Sequence, residues 1–143
     1  MMWGFTIYLE PVGQMRTRDR THHKHPTQIA REKDLKLLLS LEWKREPLVG
    51  AVEVHIDAYF KRPPSHFLKG KKTKHLLTKR APVYHAQTPD EDNVGKHFKD
   101  CGNKILYNDD CQIVYGPVRK LWTTDQPRME VRIYALEPHK ENL

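Results

Sequence analysis

The sequence predicts an α/β (α+β) fold in a single domain, with two main helices packed on a mixed β-sheet. Three observations predict it. A chain of 143 residues is the size of one domain around one core. Four segments alternate apolar and polar residues with the period of a strand. Two more carry the period of a helix and lie between the strands, and no internal repeat or second domain is visible. We therefore expect one domain over 1–143, with a basic arm at about 12–26 and a basic loop at about 61–81.

"FTIYLEP" puts Phe5, Ile7 and Leu9 on one face and Thr6, Tyr8 and Glu10 on the other, a half-buried strand ended by Pro11. The arm "VGQMRTRDRTHHKHP" follows, basic and poor in apolar residues. Thr27 can cap a helix over "QIAREKDLKLLLSLEWKRE", whose expected buried stripe is Ala30, Leu37, Leu38 and Leu41. Pro47 and Gly50 punctuate its end. "AVEVHIDAYF" is the cleanest strand, with Val52, Val54, Ile56, Ala58 and Phe60 facing one way. "KRPPSHFLKGKKTKHLLTKRAP" has little periodicity and reads as a long, mobile, cationic loop with room for a helical turn. A second helix starts near Asp92, and its stripe is Val94, Phe98, Cys101 and Ile105. "CQIVYGPVRKLW" is a strand interrupted at Gly116-Pro117, and "MEVRIYAL" a final strand with Met129, Val131, Ile133 and Ala135 on one face.

Lys and Arg number 25 against 18 acids, giving a net charge of +7, which favours a polyanionic partner: nucleic acid first, an anionic membrane surface second. No apolar run approaches the roughly 20 residues needed to span a bilayer. The N-terminus lacks a signal-peptide pattern, so the expected compartment is cytoplasmic and no membrane partner is expected. Cys101 and Cys111 form no CxxC and read as buried or semi-buried thiols. The His22, His23 and His25 cluster is too tightly spaced for a standard structural zinc site.

Within this cationic chain, "TPDEDNVGKHFKD" concentrates carboxylates at one helix start. Capping is one reading: Thr88, Pro89 and Glu91 fit the cap, first and third helical positions. An EF-hand loop counted from Asp90 fails, because Val94 and Cys101 occupy two ligand positions. A metal site is the other reading. Asp90 and Asp92 project to one side of an extended chain, and Asp92, Lys96 and Asp100 form a polar helical stripe. Asp109 and Asp110 open the next strand, where the chain can return beside them. Carboxylates repel DNA phosphates, so an acidic pocket on a basic surface implies a hard divalent cation between them. Lys96 would then face the phosphate. Spacing alone leaves both readings open.

At these residues the sequence resembles the RusA-type Holliday-junction resolvases. Their motif, Pro-Asp-x-Asp-Asn-hydrophobic-x-Lys followed by Asp-Ala-Leu and Asp-Asp-x-Gln-hydrophobic, stands here as Pro89, Asp90, Asp92, Asn93, Val94, Lys96, then Asp100, then Asp109, Asp110, Gln112 and Ile113. "RPPSHF" from Arg62, Val83-Tyr84-His85, and Pro11 followed by Arg16, Arg18 and Arg20 also resemble the family. The resemblance implies a RusA-like fold and a homodimer that binds four-way junction DNA in recombination and repair. It implies paired nicks made with Mg2+, which Mn2+ may replace, and no organic cofactor. It assigns metal binding to Asp90, Asp92 and Asp110, catalysis to these and Lys96, and a less certain part to Asp100 and Asp109. The sequence departs from the pattern at Cys101-Gly102 and at Gly95, a glycine that costs a helix interior roughly 1 kcal/mol against alanine.

Two basic segments are the expected DNA contacts: Arg16, Arg18 and Arg20 on the arm, and Lys61, Arg62, Lys69, Lys71, Lys72, Lys74, Lys79 and Arg80 on the loop. His66, Phe67 and His75 are interleaved as stacking candidates. His85, one strand step before the motif, is a candidate neighbour of the site. Trp3, Trp43 and Trp122 read as core or interface. Two rival functions stand beside the resolvase: a non-catalytic junction-DNA-binding protein, and a metal nuclease acting on other branched DNA.

Overall fold

The computed structural model describes residues 1–15 and 23–137. Arg16, Arg18, Arg20 and His22 lie outside the described residues. The elements are β1 (Met2–Ile7), α1 (Pro26–Glu42), β2 (Val52–Lys61), α2 (Glu91–Cys101), β3 (Ile113–Tyr115), β4 (Val118–Thr123) and β5 (Arg128–Ala135), with short 3-10 turns at Pro64–His66 and Asp110–Gln112.

The sheet is mixed, as expected. β5 lies between β1 and β2 and is antiparallel to both. On the other side of β2, β3 and β4 follow one another along the same edge, both parallel to it. They are the interrupted strand read from the sequence: β3 pairs at Val52 and Glu53, β4 from Ile56 to Lys61, and Gly116-Pro117 makes the break. Parallel strands need a crossover. Here it consists of the basic loop and α2, which places the acidic segment at the mouth of this break.

Both helices contribute to one core with β1, β2 and β5. Val52, Val54, Ile56, Ala58 and Phe60 of β2 are all buried, as their alternation requires. Ile7, Met129, Val131 and Ile133 continue that layer, and Leu35, Leu39, Val94 and Phe98 cover it. Trp43 packs edge-on to Trp3 with ring centroids 5.5 Å apart, and the Arg45 guanidinium lies over both rings.

Several local expectations change. β1 starts earlier and ends at Ile7, short of Pro11. The α1 cap is His25, not Thr27: His25 Nδ1 accepts the Thr27 N–H at 3.1 Å. The buried face of α1 is Gln28, Leu35 and Leu39, whereas Ala30, Leu37 and Leu41 are exposed and Leu38 is half-buried. Gln28 explains the rotation. Its amide accepts the Met15 N–H at 2.8 Å, donates to Glu32 at 3.1 Å and meets His97 Nδ1 at 3.2 Å, so a polar joint turns this face of α1 toward α2. Of the two thiols, Cys101 is buried and pushed up to about 11 by burial, but Cys111 is exposed.

Candidate active site

α2 begins where Asp90 caps it. The Asp90 Oδ1 accepts the Asn93 N–H at 2.9 Å, satisfying one of the four unpaired donors of the first turn. The cap is therefore Asp90 rather than Thr88, and the third helical position is Asn93 rather than Glu91. The segment entering the helix is held by a lysine that sequence reasoning missed: Lys120 Nζ on β4 donates to the carbonyls of Gln87 at 2.6 Å and Pro89 at 2.7 Å. Val94, Phe98 and Cys101 are buried as read, while Ile105 is half-buried. His97 joins them, kept below its ordinary pKa chiefly by burial and so neutral. The far end of α2 is tied by the Tyr107 hydroxyl, which donates to the Lys99 carbonyl at 2.7 Å.

The Asp109-Asp110-x-Gln112 stretch divides its labour in the same way. Asp109 Oδ1 accepts the Cys111 N–H, and Gln112 Oε1 accepts the Asp109 N–H, each at 2.9 Å, a reciprocal capping box. The Gln112 amide donates to the carbonyls of Leu48 and Gly50, again at 2.9 Å, fastening the turn to the α1–β2 connection. With both neighbours fixed, Asp110 is presented toward α2.

One pocket of about 270 Å³ lies between α2, this turn and the β3–β4 break. Asp92, Lys96, Lys99, Asp100 and Asp110 line it. The polar stripe read as Asp92, Lys96 and Asp100 thus faces a single cavity, and Asp110 returns to it. Asp90 is absent from the lining, its side chain engaged in the cap. Asp110 is raised above the usual carboxylate value, first by its hydrogen bond with Asp100, then by burial and by Asp109. Asp109 is lowered, mainly by the Cys111 N–H. Two carboxylates in contact, one favouring its proton, are a hard oxygen donor pair whose repulsion a divalent cation would relieve. Among the described residues no group of three or more His, Cys, Asp or Glu side chains is placed to hold a metal ion. What the pocket offers is the Asp100–Asp110 oxygen pair, with Asp92 on the same lining, donors suited to a hard cation that keeps several waters.

Other candidates fall elsewhere. His85 is buried away from the pocket lining, stacked on Phe60 at 3.9 Å and tilted against Trp122 at 4.3 Å, with Nδ1 unpartnered. Burial, then Lys120, hold it below its ordinary pKa. His66 meets Trp122 edge-on at 4.9 Å. The basic loop has more backbone order than a mobile loop: Phe67 bridges Leu77, Leu68 N–H bonds to Leu76 at 2.8 Å, and Thr78 N–H to His66 at 3.0 Å. This fold holds Lys69, Lys71, Lys72, Lys74, Lys79 and Arg80 out to solvent, and Lys61 is exposed too. Arg62 differs. It is half-buried and its Nη1 donates to the Pro82 carbonyl at 2.6 Å, stapling the ends of the loop.

Among known proteins, the chain is similar to "Uncharacterized protein YqaN" of Bacillus subtilis (strain 168), 30% identical over 135 residues that cover 90% of this chain and 93% of that one. The family model described as Endodeoxyribonuclease RusA matches residues 9–134, a span that includes the pocket, the capped turns and the whole basic loop. By that match this chain is a member of the RusA endodeoxyribonuclease family.

Proposed function

We propose that this protein is a divalent-metal-dependent endodeoxyribonuclease that resolves four-way DNA junctions by paired symmetric nicks in recombination and repair. Mg2+ is the proposed ion, with Mn2+ able to substitute. The observation that supports this reading best is the pocket that brings Asp92, Asp100 and Asp110 together with Lys96, in a member of a family of endodeoxyribonucleases.

The residues take roles that follow from their positions. Asp92 and Asp110 offer oxygens from two elements, α2 and the turn before β3. Asp100 adds a third carboxylate in contact with Asp110, a larger part than its place in the motif suggested. Asp90 commits one oxygen to the cap and keeps the other for the cation or its waters. Bound there, a divalent cation supplies Lewis acidity and makes water a nucleophile near neutral pH. Lys96 donates to a non-bridging phosphate oxygen as negative charge builds on it. Lys61 and the exposed lysines and arginine of the loop neutralise phosphates along the arms, giving affinity without sequence choice. Arg62 acts through the loop it staples. Two nicks related by symmetry ask for two pockets related by a twofold axis, hence a homodimer.

One observation favours a second reading. Asp90 and Asp109 both serve as caps, as acids do in a non-catalytic junction-binding protein. A labelled mobile four-way junction, incubated with Mg2+ or with EDTA beside a flap and a replication fork, separates the possibilities. Paired nicks on the junction that need Mg2+ are expected. Tight binding without cutting under any divalent metal supports the binding protein, and preference for the flap or fork supports a different branched-DNA nuclease.

A further inference from the structure

Lys99 has no part in the reading above, yet it lines the same pocket three residues after Lys96. Lys99 is half-buried, and its Nζ donates to the Gly116 carbonyl at 2.8 Å, at the β3–β4 break. An ammonium has three donors, so two remain. Among the described residues the ion pairs are Lys24–Glu32, His55–Glu53, Arg119–Asp57 and Arg128–Glu130, and Lys99 is in none of them. Those two donors are free to meet an anion that enters the pocket.

Gly116 makes room for this side chain. A Cβ on Gly116 would stand 2.5 Å from Lys99 Nζ and 2.7 Å from its Cε. A Cβ on Gly95 would stand 3.5 Å from the same Nζ and 3.0 Å from Val118 Cγ2. Among the described residues Gly50 is the glycine with positive φ, so backbone conformation does not require glycine at 95 or 116. At 116 the glycine leaves room for the Lys99 ammonium, and at 95, inside α2, it leaves room for the close approach of Val118.

We infer that Lys99 is a second phosphate-contacting cation of this pocket, donating its two free N–H groups to a phosphodiester of the DNA substrate beside Lys96. This rests on the nuclease reading. Asp92, Asp100 and both lysines come from α2 and Asp110 from the facing turn, so a phosphate held in the pocket, with a cation on the carboxylates, meets both lysines.

The test compares wild type with Lys99→Met, Lys99→Arg and Gly116→Ala. Junction binding is measured against salt in EDTA, single-turnover cleavage in Mg2+, and melting temperature for each protein. Losing one phosphate contact should flatten the slope of log affinity against log salt by about 0.7–0.9. Lys99→Met should also lower cleavage by about ten- to a hundredfold, the worth of a charge-assisted hydrogen bond. Lys99→Arg should keep the wild-type slope and recover part of the cleavage. Gly116→Ala keeps the charge but displaces the ammonium, so cleavage should fall even where the slope holds. If Lys99→Met melts lower but keeps the wild-type slope and cleavage, Lys99 is only a strut for the Gly116 carbonyl and the inference is overturned. If Lys99→Met fails to fold, wild-type cleavage in Gly116→Ala overturns it equally. If wild type binds DNA but cuts none, the nuclease reading fails, and the slopes still decide whether Lys99 touches phosphate.

Discussion

The two helices pack against the same sheet, yet they obey their sequences differently. α2 buries the stripe its periodicity marks: Val94, Phe98 and Cys101, with the polar stripe at the pocket. α1 buries Leu35 and Leu39 but also Gln28, and leaves Ile29, Leu37 and Leu41 in solvent. The difference is one of supply. In α2 charged and polar residues leave a single apolar face, so burial has one solution. In α1 five apolar positions crowd between Leu35 and Leu41, enough for two faces, and periodicity does not choose between them. A buried amide does. Gln28 reaches the Met15 backbone and His97, and a buried polar group is stable only where such partners are.

The contrast can be broken by stability measurements. Leu35→Ala should cost about 2–5 kcal/mol, the range for emptying a leucine site in a packed core. Leu37→Ala, two residues on, should stay within about 0.5 kcal/mol of wild type in the monomer. Urea unfolding of both variants decides it: equal losses would mean that α1 presents the face its leucine run suggested, not the one Gln28 selects.

A smaller effect separates the α2 pocket from the core beneath it. Asp110 is raised in the folded state, chiefly by Asp100, so its contribution to stability is present below its unfolded value and lost as pH rises through the folded one. The metal-free protein should therefore lose stability as pH climbs above the ordinary carboxylate range. Asp110→Asn should remove that step and melt about 1–2 °C higher at neutral pH, a modest gain because the group is partly solvated. Added Mg2+ should stabilise wild type and leave the variant little changed. Thermal melts at acid and neutral pH, with and without Mg2+, check each part.

The fold was legible where a pattern had one physical solution. The alternation of β2, the break at Gly116-Pro117 and the stripe of α2 all reappear in the structure. The acids were legible as a group, because carboxylates clustered in a basic chain need a cause. Their individual duties were not. Asp90 and Asp92 look alike in sequence, and only the backbone reveals that Asp90 caps the helix while Asp92 lines the pocket. Asp109 and Asp110 divide in the same way. Lys99 and Lys120 were invisible because each acts through a carbonyl distant in sequence, on Gly116 and on Gln87 and Pro89. Spacing within one helix carries no record of such partners. Gly95 did leave a signal, a helix-breaking residue inside a helix, and the close approach of Val118 accounts for it.

The central claim is that the carboxylates of the pocket serve chemistry rather than folding. Asp92→Asn tests it most directly, because Asp92 lines the pocket and the cap belongs to Asp90. Cleavage of a four-way junction in Mg2+ and affinity for the same junction are measured on the folded variant. The account predicts that cutting falls about a hundred- to a thousandfold, as when a key transition-state contact is removed, while affinity holds or tightens because repulsion of the phosphates is relieved. Cutting at the wild-type rate, or junction affinity lost together with cutting, would contradict it.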